Sequence, residues 1–143
     1  MRDDEHYIDR LTGLIDTLRG DNGRPWDKKQ TPKSMSLYLK EEMYELLEAI
    51  ESGSPDEICE ELGDVLFQVL FIARIYQEMG RFSIKDVARL NCEKTIARHP
   101  HVFSGDQVDS IEEVKQRWHE IKQTEKNHAA HRSVLDSVPS RLP

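Results

Sequence analysis

Residues 41–64 read EEMYELLEAIESGSPDEICEELGD and hold ten of the chain's 27 acidic residues, with no Lys, Arg or His among them. Elsewhere 17 acids face 20 bases, so this segment carries −10 and the rest of the chain +3. Glu42 and Glu45 are three residues apart, Glu41 and Glu45 four, and Glu61 and Asp64 again three. On a helix each set falls within one turn, where like charges cost about 0.2–0.5 kcal/mol per pair. Two such sets facing each other cost more unless protons or a cation neutralise them. Hard divalent cations do this: Mg²⁺ takes a few carboxylates, keeps several waters and recruits phosphate oxygens. The competing reading is a solvated acidic face, since acids near a helix N-terminus also suit its dipole. Spacing alone leaves both open. A di-iron carboxylate bundle is disfavoured, because it uses Glu-x-x-His on two helices and neither acidic stretch contains His.

Basic and aromatic residues of matching chemistry follow later in the chain. Lys94 and Arg98 are four apart, as are Trp118 and Lys122. Cations beside bound metal suit a polyphosphate, whose charge exceeds what one ion neutralises. Trp118 can stack on a nucleobase; it also continues the Ile111, Val114 stripe as a core residue would. Lys94, Arg98 and Lys122 can equally be solvated. There is no Gly-rich phosphate loop, which excludes a P-loop enzyme. His99 and His101 are of a type that binds metal, but as they flank Pro100 they are expected to shape a turn. Cys59, expected on the buried side of its helix, and Cys92 are read as packing residues.

The elements that must position these groups are helical throughout. Tyr7, Ile8, Leu11, Leu14, Ile15 and Leu18 form the stripe of a first helix ending near Gly20. A long loop is expected over 20–31. Thr31-Pro32 caps a second helix running to about Ser52, with Leu39, Met43, Leu46, Leu47 and Ile50 as its expected buried face. Ser54-Pro55-Asp56-Glu57 starts a third helix that ends at Gly80. Its residues Ile58, Leu62, Val65, Leu66, Val69, Leu70, Ile72, Ala73 and Ile75 are apolar over most of the circumference, which predicts the central helix. Ser83 with Asp86 caps a fourth helix reaching about Arg98, and Ser110 with Glu113 a fifth that fades after about Lys126. The connection at Gly53 is short, so the two acidic helices are expected to be antiparallel neighbours. The fold class is all-α, an antiparallel bundle of about five helices. The helical domain spans 1–126, and 127–143 reads as a poorly packed tail or linker.

Composition bounds the function. The chain has 143 residues, one domain's worth. It is 33% charged with a mean hydropathy of −0.69, and no apolar run approaches the roughly 18–20 residues of a membrane span. The charged start, Met1-Arg2-Asp3-Asp4-Glu5, shows no apolar signal segment, which predicts a cytoplasmic protein with no membrane partner. Two cysteines are too few for a disulfide framework or a Cys-rich zinc site. A net charge of −7 disfavours nucleic-acid binding.

The chain carries, in order, Arg24-Pro25-Trp26-Asp27-x-x-Gln30-Thr31, Glu41-Glu42-x-x-Glu45 and Glu60-Glu61-Leu62-Gly63-Asp64-Val65-Leu66-Phe67-Gln68-Val69. The series continues through Lys94-x-x-x-Arg98-His99-Pro100-His101-Val102-Phe103, Arg117-Trp118-x-x-Ile121-Lys122 and Val134-Leu135-Asp136-Ser137-Val138-Pro139. Together these strings resemble the MazG nucleoside triphosphate pyrophosphohydrolases. The resemblance covers nearly the whole chain and is to the N-terminal domain of two-domain members. It implies an all-α, dimeric enzyme that uses Mg²⁺, with Mn²⁺ as a substitute, to cleave nucleoside triphosphates into monophosphate and pyrophosphate. It further implies Glu42, Glu45, Glu61 and Asp64 as metal ligands, Glu41 beside them in catalysis, and Lys94, Arg98, Trp118 and Lys122 as substrate contacts. The alternative is a non-catalytic module that binds nucleotide or supports a catalytic partner domain by dimerisation. A homodimer is expected from the residues as well, because the third helix offers more apolar surface than its neighbours in one chain can cover. Helices two and three would then pack near the two-fold axis.

Overall fold

The structure, a computed structural model, describes residues 6–103 and 111–129. Every regular element among them is helical: α1 (Tyr7–Arg19), α2 (Pro25–Lys29), α3 (Pro32–Ser52), α4 (Pro55–Glu78), α5 (Ile84–Arg98), α6 (Pro100–Phe103) and α7 (Ile111–Ala129). The all-α class is as expected, and the count rises from five to seven through two single-turn helices. One of them, α2, lies where a loop was expected. Arg24 is extended and Pro25 takes the first helical position, where a missing N–H costs nothing. Asp27 is then buried, 2% exposed, and accepts from Arg24 Nε at 2.9 Å. The other, α6, follows the break at His99.

Two compact units divide the chain, Met1–Val87 and Ala88–Pro143, with the boundary inside α5. In the first unit α3 and α4 form a hairpin through Gly53-Ser54, with α1 packed on α4 and α2 on α1. Both long helices begin as their sequences dictate. Thr31 Oγ1 accepts from Ser34 N at 3.1 Å while Ser34 Oγ accepts from Thr31 N at 2.8 Å, and Ser54 Oγ accepts from Glu57 N at 3.3 Å. The hairpin turn needs glycine: a Cβ on Gly53 would lie 2.7 Å from the Ala49 carbonyl oxygen. The α5 cap is reciprocal, with Ser83 N donating to Asp86 Oδ2 at 2.9 Å and Asp86 N to Ser83 Oγ at 3.4 Å.

The core is one cluster, Ile15, Met35, Leu70, Phe71 and Ile75, flanked by Leu11, Phe67, Ile72 and Ile84. It occupies the end of the hairpin away from Gly53. Beside it Arg19 ties three elements together. Its Nη1 donates to the carbonyls of Asp27 and Gln30 at 2.6 and 3.0 Å, and its Nε and Nη2 grip Glu78 at 2.8 and 2.7 Å. The guanidinium also lies 5.6 Å from the centre of the Phe71 ring.

Several packing expectations are corrected. On α3 the inward stripe is Met35, Leu39, Glu42, Leu46 and Ala49, while Met43, Leu47 and Ile50 are exposed. The helix has two apolar stripes, and the one carrying Glu42 meets α4. On α4, Leu70, Ala73 and Ile75 are buried but Leu62, Leu66 and Val69 are exposed, since α1 and α3 cover only part of its surface. On α1 only Ile15 is fully buried, and Tyr7, Ile8 and Leu14 face outward. Cys59 and Cys92 are exposed and pack no core, because each lies on the outward side of its helix.

The second unit carries polar contacts between its helices and along them. Arg98 donates through Nε and Nη2 to Glu125 Oε2 at 3.0 and 2.7 Å, so it is an ion-paired residue and not a solvated one. Lys122 Nζ lies 3.9 Å above the Trp118 ring. Trp118 is 38% exposed, which overturns its reading as a core residue. Helix α7 runs to Ala129, slightly past the expected end. The Ser110 cap and the tail from residue 130 lie outside the described residues.

Candidate functional site

Four carboxylates meet on the α3–α4 hairpin. Glu42 and Glu45 come from one helix, Glu61 and Asp64 from the other, and one oxygen of each lies within 4.8 Å of the rest. The juxtaposition follows from the short turn at Gly53, which sets the i,i+3 pair of α3 against that of α4. Glu42 and Glu61 are half-buried, Glu45 and Asp64 exposed. The carboxylates therefore sit at the seam between the helices, where Glu42 replaces an apolar residue in the inward stripe. Glu41, also expected at the site, is exposed and outside this group of four.

The four acids act on one another through burial and like charge. Burial and the neighbouring Glu45, Asp64 and Glu61 carboxylates push the Glu42 pKa up from 4.5 to about 7. Glu61 is raised for the same reasons: burial first, then Glu45, Asp64 and Glu60. Glu42 Oε2 and Glu61 Oε2 are buried and have no hydrogen-bond partner among the described residues. A buried oxygen left unpaired costs about 1–3 kcal/mol, more when charged. Two such oxygens converging from facing helices fit a divalent cation, which takes oxygen ligands and removes the repulsion at once. An open groove of about 340 Å³, lined by Glu45, Glu48, Ala49, Ser52, Glu57, Glu60 and Glu61, leads off toward the hairpin turn.

The other expected site residues are in the second unit. Lys94 and Arg98 are half-buried on α5; Trp118 and Lys122 stack on α7. His99 Nδ1 bonds the Thr95 carbonyl at 2.7 Å, holding the ring beside the turn it was expected to shape. One residue of the hairpin was quoted only as part of a motif: Gln68, which is 9% exposed with its Oε1 unpartnered. The available signal was a lone amide inside the apolar run from Val65 to Ala73.

Comparison with known proteins places the chain in a family. The family described as the MazG nucleotide pyrophosphohydrolase domain matches residues 30–103, which hold the whole carboxylate hairpin. The chain is 49% identical over 138 residues to an uncharacterised Bacillus subtilis protein, YabN, covering 96% of this chain and 28% of that one. It is 44% identical over 139 residues to the nucleoside triphosphate pyrophosphohydrolase of Escherichia coli K12, covering 96% and 53%. The corresponding Thermotoga maritima enzyme is 45% identical over 126 residues, covering 88% and 48%. The chain thus spans about half the length of these enzymes, and less of YabN. The crystal structure of a mazG-related protein from Thermotoga maritima superposes with a TM-score of 0.68 at 28% identity, covering 80% of this chain and 98% of that one. The family match spans α3 to α6 in full, the facing carboxylate pairs among them, and the chain belongs to the MazG nucleotide pyrophosphohydrolase family.

Proposed function

We propose that this chain hydrolyses nucleoside triphosphates to nucleoside monophosphate and pyrophosphate with the help of Mg²⁺. The observation that carries the reading is the four-carboxylate cluster with its two unpartnered buried oxygens. The names of the E. coli and T. maritima relatives support the reaction. Glu42, Glu45, Glu61 and Asp64 would hold the ion, with Mn²⁺ as a substitute. When bound, the cation supplies charge neutralisation for the triphosphate and makes water more acidic. Water attacks the α-phosphorus, the bond from that phosphorus to the α–β bridging oxygen breaks, and pyrophosphate leaves. Glu41 or Glu45 orients the attacking water and accepts its proton as general base. Lys94, Arg98 and Lys122 balance phosphate charge and Trp118 stacks on the base, roles proposed from their chemistry.

We also propose a homodimer. Beside the exposed stripe of α3 an apolar groove is lined by Ser36, Lys40, Met43, Tyr44 and Leu47, with Leu39 of the inward stripe at its edge, and Leu62, Leu66 and Val69 are exposed on α4. A second copy is the natural cover for such a face. A cytoplasmic location accords with a nucleotide substrate, and no described helix is long and apolar enough to cross a membrane. The second reading is a non-catalytic module serving a catalytic partner domain, favoured by the extra length of the relatives. Pyrophosphate release from several nucleoside triphosphates, with and without Mg²⁺, separates the two. Release that needs the cation supports the enzyme; nucleotide binding without release supports the module.

A further inference from the structure

Gln68 is the second buried polar side chain of the first unit, after Asp27. Asp27 has Arg24 as a partner; the Oε1 of Gln68 has none among the described residues. On α4 it follows Asp64 by four residues and Glu61 by seven, so it shares their face one turn further on. Phe67 beside it in sequence flanks the apolar core, and Phe71, three residues on, belongs to it. The side chain therefore sits where the carboxylate site gives way to that core. A Met or Leu there would pack without an unpaired atom, so the amide makes physical sense if a hydrogen-bond donor arrives from outside the chain.

The chemistry of that donor is restricted. Turned inward, Oε1 only accepts, and the oxygens of an ionised triphosphate also only accept, so in this amide orientation the two do not bond; the flipped amide would present Nε2, a donor that suits phosphate. A hydroxyl of the sugar or an amino group of the base can donate. We infer that Gln68 reads the nucleoside part of the substrate, its Oε1 accepting a hydrogen bond from a sugar hydroxyl or a base amino group while the carboxylates take the metal–phosphate end. The inference rests on the proposed triphosphate reading of the carboxylate cluster. A site built around such an acceptor rejects an analogue lacking the donor, because the amide is then left buried and unpaired.

The test is binding, not turnover. Full-length wild type and Gln68→Met are titrated with Mg²⁺ alone, then with non-hydrolysable α,β-methylene triphosphates that keep or lack the 2′-hydroxyl, the 3′-hydroxyl or the base amino group. Gln68→Met should keep the Mg²⁺ response and the oligomeric state, and bind the complete analogue about 5- to 10-fold more weakly. The analogue lacking the relevant donor should bind wild type and variant alike, which identifies the group as sugar or base. Equal affinity of both proteins for every analogue overturns the inference while leaving the triphosphate reading intact. Loss of the Mg²⁺ response in Gln68→Met also overturns it, assigning the amide to water on the cation. A changed oligomeric state does so too, assigning it to a second copy. Wild type that binds Mg²⁺ but no analogue overturns both readings.

Discussion

At the scale of single residues, the carboxylates are placed against their own interest. Glu42 is raised to about 7 by burial and by Glu45, Asp64 and Glu61, and Glu61 is raised in the same direction. Between pH 4.5 and about 7 the folded, metal-free protein thus holds a proton that the unfolded chain has released. The stability that this proton contributes is greatest at the lower end of that window and declines as pH rises through it. Glu78 acts oppositely: hydrogen bonds from Arg19 lower its pKa, so its contribution is lost as pH falls below 4.5. In EDTA the melting temperature should therefore fall from about pH 5 to pH 7, and the Glu42→Gln slope should be flatter. Identical slopes would show that Glu42 does not titrate as described. Glu42→Gln and Asp64→Asn should each melt no lower than wild type without metal, lose the rise that Mg²⁺ gives, and lose Mg²⁺-dependent hydrolysis. Full activity together with a retained metal response in both variants would remove these residues from the site. This part of the molecule was legible in sequence because i,i+3 pairing is local and any helix satisfies it. Gln68 and Arg19 were not legible, since a missing partner and a partner 59 residues away are facts of three dimensions.

At the scale of elements, the capping residues predicted the starts of α3, α4 and α5 correctly, because caps are chemistry within four residues. The buried face of α3 was misread for a reason that more counting would not cure. Met43, Leu47 and Ile50 recur at helical spacing as well as Met35, Leu39, Leu46 and Ala49 do, and only the neighbouring helix decides which set it covers. The single turn of α2 is too short for periodicity to register. What holds it is Arg19, whose fork spans the Asp27 and Gln30 carbonyls and the Glu78 carboxylate. Arg19→Ala should cost about 2–4 kcal/mol in urea unfolding, because it strips two carbonyls of their donor and leaves the partly shielded Glu78 carboxylate with the longer contact to Arg74 Nε at 3.6 Å. Arg19→Lys should recover less than half of that, since an ammonium lacks the planar fork. A loss under 0.5 kcal/mol for Arg19→Ala would mean that water replaces the guanidinium without penalty.

For the whole molecule, the outward stripes of α3 and α4 bear on assembly. Leu47 is 57% exposed, as is Ile50, and Leu62 is 51% exposed on the adjoining helix. Light scattering at micromolar concentration should give twice the 16.7 kDa chain mass. Leu47→Glu should shift the population to monomer without lowering the melting of the isolated chain, since no core atom is lost. A monomeric wild type that keeps full activity would sink both the dimer and any role for it in the site. The overall class was readable from the absence of strand alternation. The division at Val87–Ala88 was not, because helix α5 runs through it without any break in composition.

The hairpin is also lopsided along its length. Ile15, Met35, Leu70, Phe71 and Ile75 gather at one end, while the other holds the carboxylates and the Gly53 turn. Local opening follows the density of apolar contact, so backbone amides along α3 and α4 should exchange with solvent deuterium on a gradient. In the metal-free protein, protection should be lowest from Glu45 to Glu61 and rise toward Met35 and Phe71. Mg²⁺ should slow exchange at the acidic end by the free energy of its binding and leave the core end nearly unchanged. Uniform slowing along both helices would mean that the hairpin opens only as a whole. With the gradient, the two ends of one helix pair have separate thermodynamics, one set by hydrophobic burial and the other by the concentration of free cation.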